Sequence, residues 1–277
     1  MRGLTRLTST TSARKAEIAL VAGLSAGRPA MLQVDLGLLP YVDFPGEYHF
    51  GGHVVAVVGY DPDTATALVC DRDVRLHEVS LAALAAARGS TYQPFPPRHR
   101  AWSFDFAAQR PPTPDEVDAA IEEAATGMLR PPIANLGVRG IRKAAHLVPR
   151  WPDTLDPSTL RDACRDAFVM IDATGGTGGG LFRYMYARFL EEAAAIAGDA
   201  ILGDVVRQLT EVGDRWQDAA TAFDRAARHS APATPLAAAA AALTAAADVE
   251  EDAWQALLLR RTGRGRSDTR SGPVRVG

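Results

Sequence analysis

The sequence predicts an α+β protein: an antiparallel sheet domain followed by an all-helical domain. Residues 53–60, His-Val-Val-Ala-Val-Val-Gly-Tyr, form an apolar run between Gly51-Gly52 and a turn at Asp61-Pro62-Asp63-Thr64, and Thr66 to Cys70 returns beside it. Beyond residue 110 only helix signals recur. Thr113-Pro114-Asp115-Glu116 combines an N-cap, a first-turn proline and a capping-box glutamate, and Asp156-Pro157 opens another helix in the same way.

Residues 1–12 are rich in Ser and Thr without apolar periodicity and read as disordered. Residues 13–26 read as a helix ended by Gly27-Arg28-Pro29, and Met31-Leu32-Gln33-Val34 as a strand. The 53–60 run is apolar at successive positions, which predicts a central strand covered on both faces. Ser80 caps a helix over 81–88, and residues 93–114 read as an ordered crossing segment. Further helices are expected at 181–197, 199–228 and 233–259. The organisation is therefore a sheet domain over 13–110, a helical domain over 111–261 and a disordered tail over 262–277.

Composition narrows the function. A hydrophobic fraction of 47% against 23% charged residues fits a soluble globular chain, and a net charge of −3 argues against an obligatory nucleic-acid partner. No apolar run reaches the roughly 20 residues of a membrane helix. A signal peptide over Ile18–Gly27 is disfavoured by Glu17 directly before it and by the Gly and Ser within it, and lacks a cleavage site, so the expected location is cytoplasmic. Two cysteines are too few for a disulfide scaffold, and no cofactor is expected.

His53 at the start of the strand is either a core histidine or a base held by a rigid sheet. Asp71 ends the neighbouring strand and would orient such a base. A loop of residues 61–64 pairs Val55 with Cys70 and puts that cysteine on the His53 face; a loop one residue longer puts Asp71 there instead. Cys70 reads as a buried strand cysteine rather than a nucleophile, because a reactive thiol needs an exposed, thiolate-stabilising setting. Cys164 reads as helix packing. Asp35 and Glu47 fall in loops expected to rim the His53 site, where either would meet a cationic substrate. Gly175 to Gly180 precede a helix with a predicted core stripe of Phe182, Met185, Tyr186, Phe189, Leu190 and Ala193. These glycines suit a close helix approach, or an anion site shared with Arg183.

Several segments together resemble the family of butirosin biosynthesis protein H. They are Val34-Asp35-Leu36, Leu39-Pro40-Tyr41, His53 through Asp61, and Asp71-Arg72. The segments Gly137 to Lys143 and Gly178 to Arg183, continuing through Tyr186 to Glu191-Glu192-Ala193, resemble the helical domain that follows in that family. The resemblance runs from about residue 15 to 260. It implies a partial papain-like fold and an acyltransferase that moves an aminoacyl group from an acyl carrier protein to an amine acceptor. On that pattern His53 is the base, Asp71 its orienting acid, and the nucleophile a cysteine at the start of an upstream helix.

No cysteine precedes Ala30. The resemblance therefore implies either an acyltransferase truncated ahead of its nucleophile, or an inactive relative that keeps the fold as a binding or assembly protein.

Overall fold

The computed structural model describes residues 4–42, 48–71, 75–105, 110–172, 179–199 and 201–267. The chain divides into two units, Met1–Pro111 and Pro112–Gly277.

The first unit is an antiparallel sheet with two helices against it. Its strands are β1 (Leu4–Thr8), β2 (Ala30–Val34), β3 (His53–Asp61), β4 (Thr66–Cys70), β5 (Leu76–Ser80) and β6 (Ala101–Asp105), in the order β1-β6-β2-β3-β4-β5. Helices α1 (Ala13–Ser25) and α2 (Leu81–Gly89) carry the side-chain caps Ser12 and Ser80. Leu20 of α1 and Leu84 and Ala87 of α2 pack with Leu32, Val34, Val55, Val57, Val69 and Val79 of the sheet into one apolar core. At about 1.5–3 kcal/mol for each large aliphatic side chain, this burial is the main force closing the unit.

Three expectations change here. Residues 4–8, expected to be disordered, form the edge strand β1. Their backbone pairs with β6 from Leu4↔Asp105 to Thr8↔Ala101, a long-range ladder that composition does not reveal. The crossing segment contains β6, which also pairs with β2. Finally, β3 is central but covered on one face only: His53, Val55 and Val57 are buried, Val54 and Ala56 are half-buried, and Val58 is 45% exposed.

The second unit is helical: α3 (Pro114–Leu129), α4 (Gly137–Leu147), α5 (Trp151–Thr154), α6 (Pro157–Ile171), α7 (Gly180–Ala197), α8 (Ile201–Arg228) and α9 (Ala233–Ser267). The predicted capping box at Thr113 and Glu116 is formed with both hydrogen bonds, and Asp156 caps α6 through two backbone N–H groups. Helices α8 and α9 pack along each other, with α6 and α7 against α8 and α3 and α4 against α9.

The α9 helix runs on to Ser267, past the expected helix end at 259 and into the segment expected as a disordered tail, while residues 268–277 lie outside the described residues. Of the predicted α7 stripe, Leu190 and Ala193 are buried in the helical core and Tyr186 and Phe189 pack against it, while its first two members do not. Ala187, Leu190 and Ala193 are buried, whereas Phe182 and Met185 are 49% and 54% exposed. Helices α7 and α8 approach closely at Gly180, where an added Cβ would lie 3.1 Å from the Gly213 carbonyl oxygen, and the Tyr184 ring lies over Gly213. No helix among the described residues is long and apolar enough to cross a membrane.

Candidate active site

His53 is set by the pairing of β2 with β3, in which it lies opposite Val34. The entry to β3 is tied down on several sides. Gln33 Nε2 donates to the Gly51 carbonyl at 2.7 Å, and Arg100 holds Gln33 Oε1 at 3.1 Å. Gly51 has no room for a side chain, since a Cβ there would lie 2.2 Å from the Phe95 carbonyl oxygen.

Asp35, directly after β2, is completely buried and accepts four hydrogen bonds. Gly37 N (3.2 Å) and Phe50 N (3.0 Å) bond to Oδ1, while the Ser90 hydroxyl (2.6 Å) and His49 Nδ1 (3.0 Å) meet Oδ2. Such a carboxylate has no capacity left for a substrate. Its position contradicts the expectation of a rim contact: the loop folds inward, and Asp35 fastens residues 49–50 and the end of α2 to the end of β2. Glu47, the other expected rim acid, lies outside the described residues.

The β3–β4 register decides what His53 meets. Near the turn, Asp61 pairs with Thr66, Tyr60 with Ala67 and Gly59 with Leu68. Continued unchanged, that register would place Cys70 opposite Val57, on the His53 face. A β-bulge between Val57 and Gly59 inserts one extra residue, so that Val57 pairs with Val69 and Ala56 with Cys70. Cys70 thereby turns to the opposite face, and Asp71 comes round to His53.

The two side chains meet, His53 Nε2 lying 2.8 Å from Asp71 Oδ1, with side-chain exposures of 9% and 5%. Asp71 Oδ2 accepts a hydrogen bond from the Tyr41 hydroxyl at 2.9 Å, and the Tyr41 ring stacks on His77 at 3.9 Å. Tyr41 was not among the predicted site residues, because a tyrosine after Leu-Pro in a loop carries no periodic signal. With Nε2 engaged by a carboxylate, Nδ1 is the nitrogen left for accepting a proton, and Asp71 would stabilise the resulting imidazolium.

Neither cysteine stands beside this pair. Cys70 is half-buried on the other sheet face, and Cys164 is fully buried in the core of the helical unit, where burial pushes its thiol pKa up.

Arg183 is also committed elsewhere. Its Nε and Nη2 donate to the two carboxylate oxygens of Glu250 at 2.7 and 3.1 Å, and its guanidinium lies 5.0 Å over the Trp216 ring. Glu250 is completely buried and also accepts from the indole N–H groups of Trp216 and Trp254. Arg183 thus neutralises a buried carboxylate, which contradicts its expected part in an anion site. The glycines at 175, 176 and 178 lie outside the described residues. No cluster of three or more His, Cys, Asp or Glu suited to a metal occurs among the described residues.

Residues 4–72 match the family described as butirosin biosynthesis protein H, N-terminal, and residues 82–257 match the domain of unknown function DUF4872. No curated protein matches the chain. The second match begins at Ala82, so all of α2 but its first residue, and β6, both part of the sheet unit, fall within it. The structural division lies about a helix and a strand further along, after Pro111.

Proposed function

Because the chain belongs to the family of butirosin biosynthesis protein H, with the N-terminal domain followed by DUF4872, we propose that it serves cysteine-dependent acyl transfer from an acyl carrier protein to a small-molecule amine in bacterial natural-product biosynthesis. The observation that supports this reading is the His53–Asp71 contact on the antiparallel sheet. In the first step His53 Nδ1 removes the proton of a cysteine thiol, the thiolate attacks the thioester carbonyl, and the carrier's thiol leaves with that proton. In the second step the amine attacks the acyl-cysteine thioester, His53 takes the ammonium proton, and the cysteine thiolate is released and reprotonated. Asp71 keeps the imidazole oriented and balances its charge in both steps. Neither Cys70 nor Cys164 is placed to be that thiol, so in this reading the thiol is supplied in trans, by a partner protein or a small-molecule thiol.

That same placement of the cysteines favours a second reading, a binding or assembly protein that holds the carrier without forming an acyl-enzyme. Incubation of the chain with an acyl carrier protein bearing a thioester and with an amine, in the presence and absence of a small thiol that stands in for the cysteine, separates the two. Acyl transfer that is lost in His53→Ala supports the first reading. Carrier binding with no transfer supports the second. Transfer that survives His53→Ala removes His53 from the chemistry.

A further inference from the structure

On the same face of the sheet, but at its β1–β6 end, α1 and the strands enclose a cavity of about 420 Å³, a volume suited to a small molecule. Its described lining includes Arg6, Lys15, Arg28, Arg88 and His99 and contains no Asp or Glu. None of the lining residues is His53, Asp71 or Tyr41, so the cavity is separate from the histidine–aspartate pair.

Arg88, in the last turn of α2, is 3% exposed. Its Nη1 donates to the Ala16 carbonyl at 3.3 Å, and its Nε is buried with no hydrogen-bond partner among the described residues. His99 is 7% exposed, and its Nδ1 is likewise buried and unpartnered. Burial pushes the Arg88 pKa down to about 10, which leaves the guanidinium charged at neutral pH, and Glu17, exposed on α1, is close enough to favour that charge. A buried guanidinium without a contacting carboxylate carries an uncompensated desolvation cost, which an anion seated in the adjoining space would relieve. Arg6, Lys15 and Arg28 are exposed and add positive potential at the mouth. Leu20, Leu32 and Trp102 supply an apolar wall.

We propose that this cavity binds the oxyanion head of a small acid, a phosphate or a carboxylate, with Arg88 as the charged donor inside and Lys15 and Arg28 at the rim. Arg88 presents the planar donor geometry that suits either head group, and the apolar wall accommodates the body behind it.

The test is an NMR titration of the ¹⁵N-labelled full chain with inorganic phosphate, with acetate, and with sodium chloride at matched ionic strength. It follows the His99 imidazole and the Arg88 Nε–H signals. A saturable shift with phosphate identifies a phosphate site, one with acetate alone a carboxylate site, and either supports the proposal. The exposed pair Lys15→Gln and Arg28→Gln, which leaves the core intact, should weaken that binding by about tenfold, the equivalent of one charge-assisted hydrogen bond. No response beyond that of chloride, or equal affinity in the double variant, overturns the assignment.

Discussion

The His53 imidazole and the Asp71 carboxylate, 2.8 Å apart, are brought together by one extra residue in the strand between them and the hairpin turn. Without the bulge at Val58 the same turn would present Cys70 to His53 and hide Asp71. The bulge therefore supplies a carboxylate at this point rather than a thiol, which is what the proposed roles of His53 as base and Asp71 as its orienting acid require.

Replacing that acid should affect chemistry more than folding. Asp71→Asn keeps the shape of the side chain but offers an amide N–H to Nε2, favouring the wrong imidazole tautomer. Acyl transfer is expected to fall by about 10²–10⁴-fold while the far-ultraviolet circular dichroism stays unchanged. A variant that transfers at the normal rate would exclude the pair from the mechanism.

Tyr41 should act on the same carboxylate at one remove. Tyr41→Phe deletes the 2.9 Å hydrogen bond to Asp71 Oδ2 but retains the ring that stacks on His77. The expected cost is about 1.5–3 kcal/mol in urea unfolding, that of a hydrogen bond to a charged group. The loss of transfer rate should be smaller than that of Asp71→Asn. A larger rate loss than Asp71→Asn would mean that the hydroxyl touches the reacting groups itself.

These residues were legible in the sequence to different depths. The β3–β4 hairpin announced itself through an apolar run and a Pro-containing turn, and His53 stood out as the polar residue at its start. Its pairing with Asp71 stayed one of two alternatives, because Val58 has the same strand-like side chain whether it lies in a regular ladder or in a bulge. Asp35 looked like a loop acid since its partners, His49, Phe50 and Ser90, come from distant positions that only the fold assembles. Strand β1 was invisible for a related reason: its ladder to β6 spans nearly a hundred residues, and its Ser- and Thr-rich surroundings mask the two leucines. Helix caps, by contrast, are legible at Ser80, Thr113 and Asp156, because their chemistry is local.

Arg183 offers a test that separates structure from ligand binding. Arg183→Ala leaves the fully buried Glu250 facing only two indole donors, and should destabilise the protein by about 3–5 kcal/mol. Replacing both partners, Arg183→Met with Glu250→Leu, should recover part of that loss in the same chemical denaturation experiment, the indole N–H groups of Trp216 and Trp254 being left without their carboxylate. If the single variant unfolds at the wild-type midpoint, the ion pair does not hold α7 to α9 in solution.

His99 sets a pH dependence whose sign follows from its surroundings. Burial, and then the positive charge of Arg88, hold its pKa below the usual 6.5. Lys15, Arg28 and Arg6 line the same cavity and add to that field, while exposed Glu17 on α1 opposes it through Arg88. Between the folded pKa and 6.5 the unfolded chain binds more protons than the folded one, so stability rises with pH through this window. The contribution is complete above 6.5 and is lost as the pH falls through the window below it. His99→Asn, which tolerates the backbone φ of +50° at this position, removes the titrating group. Urea midpoints measured from pH 7.5 down to 5 should therefore fall more steeply for the wild type than for the variant. Parallel slopes would place the imidazole in contact with water rather than against Arg88.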